Sequence, residues 1–271
     1  MLSNSNSRGS YMNIRQAAVA GTFYEADAGR LQQHIASLMS LTGAPGIDLP
    51  QVLIVPHAGY IYSGRTAAEA YACVAGSADR IKRVLLLGPA HRVHLQGMAV
   101  PSADAFTTPL GDILLDRAGL QQARRLSGVC VSDEAHHQEH SLEVQLPFLQ
   151  TLLNDFTLLP LVVGHCDAQA VASVLDALWG GPETLVVVST DLSHFHNYDD
   201  CQRLDRVTCK RLQAKDTALS GQDACGAFAL NGLMRSSHCQ ALQVELVDLC
   251  NSGDTAGRKD RVVGYGAFVL H

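Results

Sequence analysis

The 271-residue sequence is short of charge: only 17% of it is Asp, Glu, Lys or Arg, against about 25% in typical globular chains. With a hydrophobic share of 47%, disorder is excluded as the main state. Basic clusters are also missing. Twenty Lys and Arg face 26 Asp and Glu, a formal net charge of −6, and nothing is more basic than Arg80-Ile81-Lys82-Arg83. Nucleic acid is therefore not expected as a partner. No apolar run approaches the roughly 20 residues of a membrane span, and the opening MLSNSNSRGS has no apolar signal-peptide core. These absences predict a soluble, cytoplasmic chain with no membrane partner. There is no C-x-x-C: eight cysteines are scattered from Cys73 to Cys250 in a chain large enough to fold without staples, and they read as thiols. Also absent are G-x-S-x-G, G-x-x-x-x-G-K-[ST], G-x-G-x-x-G and H-E-x-x-H, which removes support for serine-hydrolase, P-loop and dinucleotide readings.

What is present is organised around four short apolar runs, Val52-Leu-Ile-Val55, Val84-Leu-Leu-Leu87, Leu158-Leu-Pro-Leu-Val-Val163 and Leu185-Val-Val-Val188. Their unbroken apolarity predicts strands covered on both faces. Helical spacing lies around them: Leu31, Ile35, Leu38, Met39 and Leu41; Leu142, Leu146, Leu149 and Leu153; Val171, Val174, Leu175 and Leu178; Leu204, Val207, Arg211 and Leu212. The first of these helices is expected to precede the first strand. Alternating strands and helices predict an α/β three-layer sandwich, with a largely parallel or mixed central sheet and helices on both faces. Met98 to Leu115 has turn residues and no helical period and reads as a hairpin or edge-strand excursion. Val262–Leu270 reads as a closing strand. Residues 1–10 read as a flexible polar tail, and residues 11–271 as a single domain.

Ligands of open α/β sheets bind outside the carboxyl ends of the strands, and there the histidines concentrate. The first run leads into Pro56-His57-Ala-Gly-Tyr60, the second into Gly88-Pro-Ala-His91-Arg-Val-His94, and the fourth into Ser189-Thr-Asp191-Leu-Ser-His194-Phe-His196. The third ends in Gly164-His165-Cys166. One histidine after a strand is more often a satisfied core residue than a ligand. Several at one edge are different, because parallel strands lie about 4.8 Å apart and their side chains can converge on one ion or substrate. In Glu139-His140-Ser-Leu-Glu143-Val-Gln-Leu-Pro147, Ser141 and the carboxylates suit a helix N-terminus, while His140 and Glu143, three apart, are expected to share a face and reach the same pocket. His136 and His137 read as solvated loop residues. Cys225, followed by Gly226 and an apolar segment from Ala227 to Met234, reads on its own as a buried thiol. A His-rich pocket with Asp191, Glu143 and a thiol has the composition of a transition-metal site.

Together these motifs resemble the Memo family, component B of the so-called AmmeMemoRadiSam system. The likeness runs over nearly the whole chain, from Ala20-Gly-Thr-Phe-Tyr24 through the motifs above to Asn251-Ser-Gly-Asp254 and Val263-Gly-Tyr265. Members of that family look like class III (LigB-type) extradiol dioxygenases in fold. The resemblance implies a metal held by two histidines and a cysteine: here His57, His91 and Cys225, with Asp191, His194, His140 and Glu143 lining the pocket as acid–base residues. The implied metal is iron or copper, with zinc as a third option, and the other AmmeMemoRadiSam proteins are implied as partners. The chain departs from the family pattern at Ala90, where a serine is usual, at Arg92, where a second histidine is usual, and after Gly226, where Gly-Pro is missing.

A facial set of two histidines and a carboxylate favours iron and oxygen chemistry, whereas a thiolate softens a site toward copper or zinc while still permitting iron. The leading expectation is a metal-dependent redox enzyme related to extradiol dioxygenases, with His194 as general acid or base. The competing readings are a binding protein that takes an anionic or phosphorylated peptide, or another small ligand, in the same pocket, and a metal-dependent hydrolase.

Overall fold

The computed structural model describes residues 12–43, 47 and 49–271; the expected tail over 1–10 lies outside these. In chain order the strands are β1 (Ile14–Arg15), β2 (Val52–Val55), β3 (Arg83–Pro89), β4 (Met98–Val100), β5 (Ala105–Thr108), β6 (Gly111–Leu114), β7 (Val129–Val131), β8 (Thr157–Val163), β9 (Thr184–Ser189), β10 (His194–His196), β11 (Val244–Asn251) and β12 (Val262–Leu270). The main sheet has the order β10-β12-β2-β9-β3-β8-β4-β7, with β11 along β12. Its centre, β2-β9-β3-β8, is parallel. Antiparallel pairings flank it, β12 on β2 and β4 on β8, so the sheet is mixed. Every residue of β2 and β9 is buried. Successive side chains of a strand point to opposite faces, so both faces are covered, which is why these strands read as continuous apolar runs.

Helices surround the sheet, and their starts are chemically marked. Asp27, Asp167 and Asn197 each accept a backbone N–H from the first turn of Ala28–Ser40, Ala168–Leu178 and Tyr198–Gln213, satisfying donors that a helix start leaves open. No described helix is long and apolar enough to cross a membrane.

Three local expectations are corrected and one, the excursion over 98–115, is met. The helix over 28–40 does not precede the first strand, because Ile14–Arg15 pairs in parallel with Ala105–Phe106; two residues are too short to carry a period. The excursion over 98–115 divides between the main sheet, through β4, and the β5–β6 hairpin of a three-stranded second sheet. The helical pattern from Leu142 to Leu153 is two helices, His140–Glu143 and Leu146–Leu152, the second with a proline in its first turn, where a missing N–H costs nothing. His136 is not solvated: it lies in the helix Asp133–His137 and is buried, its ring Nε2 donating to Ala99 O at 3.0 Å. His137 is exposed.

Candidate metal centre

The carboxyl ends of β2, β3 and β9 meet at one rim. Past β2, the His57 backbone N–H donates to Asp191 Oδ1 at 2.7 Å, which couples that turn to the loop after β9. Past β3 comes His91. The short helix His140–Glu143 can sit on this strand end because Gly88 has no side chain; a Cβ there would lie 2.7 Å from Ser141 Oγ, whose hydroxyl donates to Pro89 O. Gly226 plays the same part for Cys225, since a Cβ would lie 2.7 Å from Thr190 Cβ. The Cys225 N–H thereby donates to Asp191 O at 3.2 Å.

Three imidazoles converge. His57 and His91 have ring centroids 5.1 Å apart, His57 and His140 5.4 Å, and His91 and His140 4.7 Å. One ligand nitrogen of each lies within 4.8 Å of the others. In a tetrahedral site two nitrogens bound about 2.1 Å from one ion are about 3.4 Å apart, so closure by about 1.4 Å or less brings the three onto an ion.

Proton accounting orients two of the rings. The Ser189 hydroxyl donates to Ser141 O at 2.6 Å and accepts from Gln145 Nε2 at 2.8 Å. Its remaining lone pair therefore accepts from His57 Nδ1–H at 3.0 Å, which leaves the His57 Nε2 lone pair facing the cluster. His91 Nδ1–H donates to the Glu139 carboxylate at 2.9 Å, and the His91 backbone N–H does so at 2.6 Å, so His91 Nε2 is likewise bare. A carboxylate behind an imidazole is the usual support of a metal-bound histidine. Glu139 was read from sequence only as part of a helix start, and the signal that could have found it is its place directly before His140. His140 Nδ1 is buried with no hydrogen-bond partner among the described residues, 3.5 Å from Glu139 Oε1, and Phe23 packs on its ring.

The electrostatics match. Burial drives the His57 pKa well below its ordinary value, and the neighbouring charges of His91, His140 and His194 add to this. Burial also brings His140 down to about 4, with His91 and Arg92 working in the same direction against Glu139. Both rings are neutral at pH 7 and open to a cation. Burial works to raise Glu139, but the ring and backbone N–H groups of His91 and that of Ser141 outweigh it and hold the carboxyl down at about 2. Asp191 is pushed up by burial.

The remaining expected residues fall in different places. Cys225 Sγ lies 3.3 Å from His57 Nε2. Burial pushes its thiol up to about 12, the Asp191 charge adding to this, so the S–H donates to that nitrogen. The structure thus gathers His140 as the third nitrogen, with Cys225 Sγ against His57 and accepting from the Asp191 N–H at 3.2 Å. His194 stands apart from the triad, its Nδ1–H donating to Leu192 O at 2.7 Å. Glu143 does not join them: its carboxylate pairs with Arg15 and accepts from Ala18 N, Val19 N and the Tyr24 hydroxyl. The side chains of His140 and Glu143 both face the 18–24 segment, Phe23 packing on His140 and Tyr24 bonding Glu143, but the Glu143 carboxylate is taken up by that segment and Arg15. A transition metal fits this donor set, with two oriented imidazole lone pairs, a third ring whose buried nitrogen is unpartnered, and a thiol within reach.

Residues 15–269 match the family model described as Memo-like protein. The chain belongs to the Memo-like family. It is similar to a MEMO1 family protein of Aquifex aeolicus, 33% identical with 96% of this chain and 100% of that one covered. It is also similar to one of Methanothermobacter thermautotrophicus, 34% identical with 93% and 98% covered. In fold it is similar to an uncharacterized protein of Escherichia coli K12, with a TM-score of 0.52 at 11% identity over 80% of this chain and 98% of that one.

Proposed function

We propose that this Memo-like chain is a metal-dependent redox enzyme related to extradiol dioxygenases, holding iron or copper through His57, His91 and a third donor, His140 or Cys225. The observation that carries the reading is the convergence of three imidazoles beside a thiol, 3.3 Å from one of them, with further acid–base groups that are not in that cluster. When bound, such an ion supplies one-electron chemistry and the activation of dioxygen. The chain's own residues handle protons. His194, with Nδ1–H held by Leu192 O, keeps Nε2 as the atom that takes or returns a proton. Asp191 uses Oδ1 to fix the His57 backbone, and burial raises its carboxyl to about 6, which lets it exchange a proton near neutral pH. Glu143 anchors the helix bearing His140 to Arg15 and the 18–24 segment.

Three imidazoles with a thiol beside them would also suit zinc hydrolysis, and the reaction itself separates the two. The test is oxygen uptake by iron- or copper-loaded protein with a reductant or a catechol. We expect uptake above free metal, and His194→Ala slowing it at unchanged metal content. No uptake with any reductant, together with turnover of an ester by the zinc form, would replace redox by hydrolysis.

A further inference from the structure

Gln145 stands directly before the helix Leu146–Leu152, yet among the described residues its side chain forms no cap hydrogen bond there. Ser, Thr, Asp or Asn would serve that position better. The side chain turns inward instead, and Gln145 is fully buried. An enclosed amide costs stability unless its two N–H groups and its oxygen find partners. Here they do: Nε2 donates to Pro56 O at 2.9 Å and to Ser189 Oγ at 2.8 Å, and Oε1 accepts from the Tyr71 hydroxyl at 3.0 Å.

The direction of these bonds is fixed by Pro56 O, which can only accept. The amide nitrogen therefore faces it, the amide oxygen is left for Tyr71, and the phenol donates. Tyr71 comes from the helix Tyr60–Val74 and is fully buried, its ring stacked on Phe148 with centroids 5.0 Å apart. That stacking needs only the ring; the hydroxyl serves the amide.

The partners of Gln145 lie on both sides of His57. Pro56 precedes it in the chain, and Ser189 Oγ accepts from its ring at Nδ1, so one amide grips the main chain before the ring and the acceptor behind it. Ser189 extends the grip to a second ring, since its hydroxyl donates to the carbonyl of Ser141, the residue after His140. Tyr60 pins the same segment through Val144 O at 2.8 Å. Between these ties His57 and His140 meet with centroids 5.4 Å apart at 88°.

We infer that Gln145, anchored by Tyr71, is a positioning residue of the metal centre: it fixes the Ser189 oxygen and the Pro56 carbonyl, and through them the place and tautomer of His57 and its spacing from His140. What the ring is positioned for rests on the metal binding of the reading above; that the ring is held rests on the hydrogen bonds alone.

The test uses the full chain with isotope-labelled histidine, freed of metal by a chelator, and reads the His57 ring in two-bond proton–nitrogen correlation spectra, its signals assigned from their loss in His57→Ala. Wild type should show one tautomer, protonated at Nδ1, with that proton slow to exchange with water. Gln145→Met combined with Tyr71→Phe removes amide and phenol together, so neither strands the other. It should speed the exchange of the His57 Nδ1 proton, admit the second tautomer, and weaken metal binding about 10–100-fold in a chelator competition. Tyr71→Phe alone keeps the stacked ring and should move both readouts the same way by a smaller factor, and it carries the test if the double variant does not fold. A His57 ring unchanged in these variants while the melting temperature falls would make the amide a structural group and overturn the inference. So would a changed ring with metal affinity within about twofold of wild type. A wild type whose His57 is held as described but which binds no metal would defeat the metal reading and leave the positioning in place.

Discussion

His136 and His140 lie four residues apart, both are largely withdrawn from solvent, and burial brings both to about 4. Each carries a buried Nδ1 with no partner among the described residues. Their surroundings differ. The ring of His136 meets a backbone carbonyl and the edge of Phe106, while His140 stacks on His91 and meets His57 at a right angle. Burial and a lowered pKa are thus properties of any enclosed imidazole. What marks a candidate metal centre is the number of nitrogen donors within reach of a common point. The two carboxylates of the same stretch divide the same way: Glu139 holds His91, and Glu143 holds Arg15.

The strongest way to break this comparison is to remove each ring. Structural zinc sites bind with about 10–16 kcal/mol in total, so one ligand among three or four accounts for a few kcal/mol. His140→Ala should therefore weaken metal binding on the order of a thousandfold, and His136→Ala should leave it within a few fold. A competition titration with a chromophoric chelator measures both. If His136→Ala loses the metal and His140→Ala keeps it, the triad is wrongly assigned.

The carboxylates come next. Glu143→Gln leaves Arg15 buried without its counter-charge, which costs about 3 kcal/mol or more; it should lower the melting temperature while the folded fraction binds metal normally. Glu139→Gln should do the reverse, costing about 10–100-fold in affinity with a smaller loss of stability. Identical profiles for the two variants would show that neither has a special relation to His91.

A smaller effect decides between His140 and Cys225 as third donor. His57 and His140 are neutral at pH 7, so binding through imidazoles releases few protons, whereas the Cys225 thiol must lose its proton to ligate. Calorimetry in buffers of different ionisation enthalpy should show about one proton released per ion if the thiol joins, falling in Cys225→Ser. Release near zero in both would leave the three imidazoles as the ligand set.

Much of this was legible in the residues and some was not. The four central strands were readable because burial on both faces leaves an unbroken apolar run, and the histidines at their ends because chain topology puts those ends on one rim. The short helix was harder. His140 and Glu143 read as one face and both meet the 18–24 segment, yet Arg15, from a two-residue strand without a period, captures Glu143. His136 sits in a polar string, Asp133-Glu-Ala-His-His-Gln138, and is buried by Ala99 and Phe106, partners about thirty to forty positions away that no local pattern announces.

The gentlest probe of the comparison is acid. The unfolded chain holds His136 at the ordinary pKa of about 6.5, and the folded chain holds it at about 4 because burial disfavours the charged ring. Between these values the unfolded state binds more protons, so stability is complete above pH 6.5 and falls as the pH drops toward 4, by about 1.4 kcal/mol per unit from this one ring. His57 and His140 act in the same direction, so the wild type loses stability through several rings at once. His136→Gln keeps an N–H for Ala99 O and removes one titrating group. Chemical denaturation with a metal chelator present should therefore show the variant losing about 2 kcal/mol less than wild type between pH 6.5 and 5. Equal acid slopes would mean that the buried ring of His136 is already protonated in the fold, and its contrast with His140 would then lie in charge rather than in neighbours.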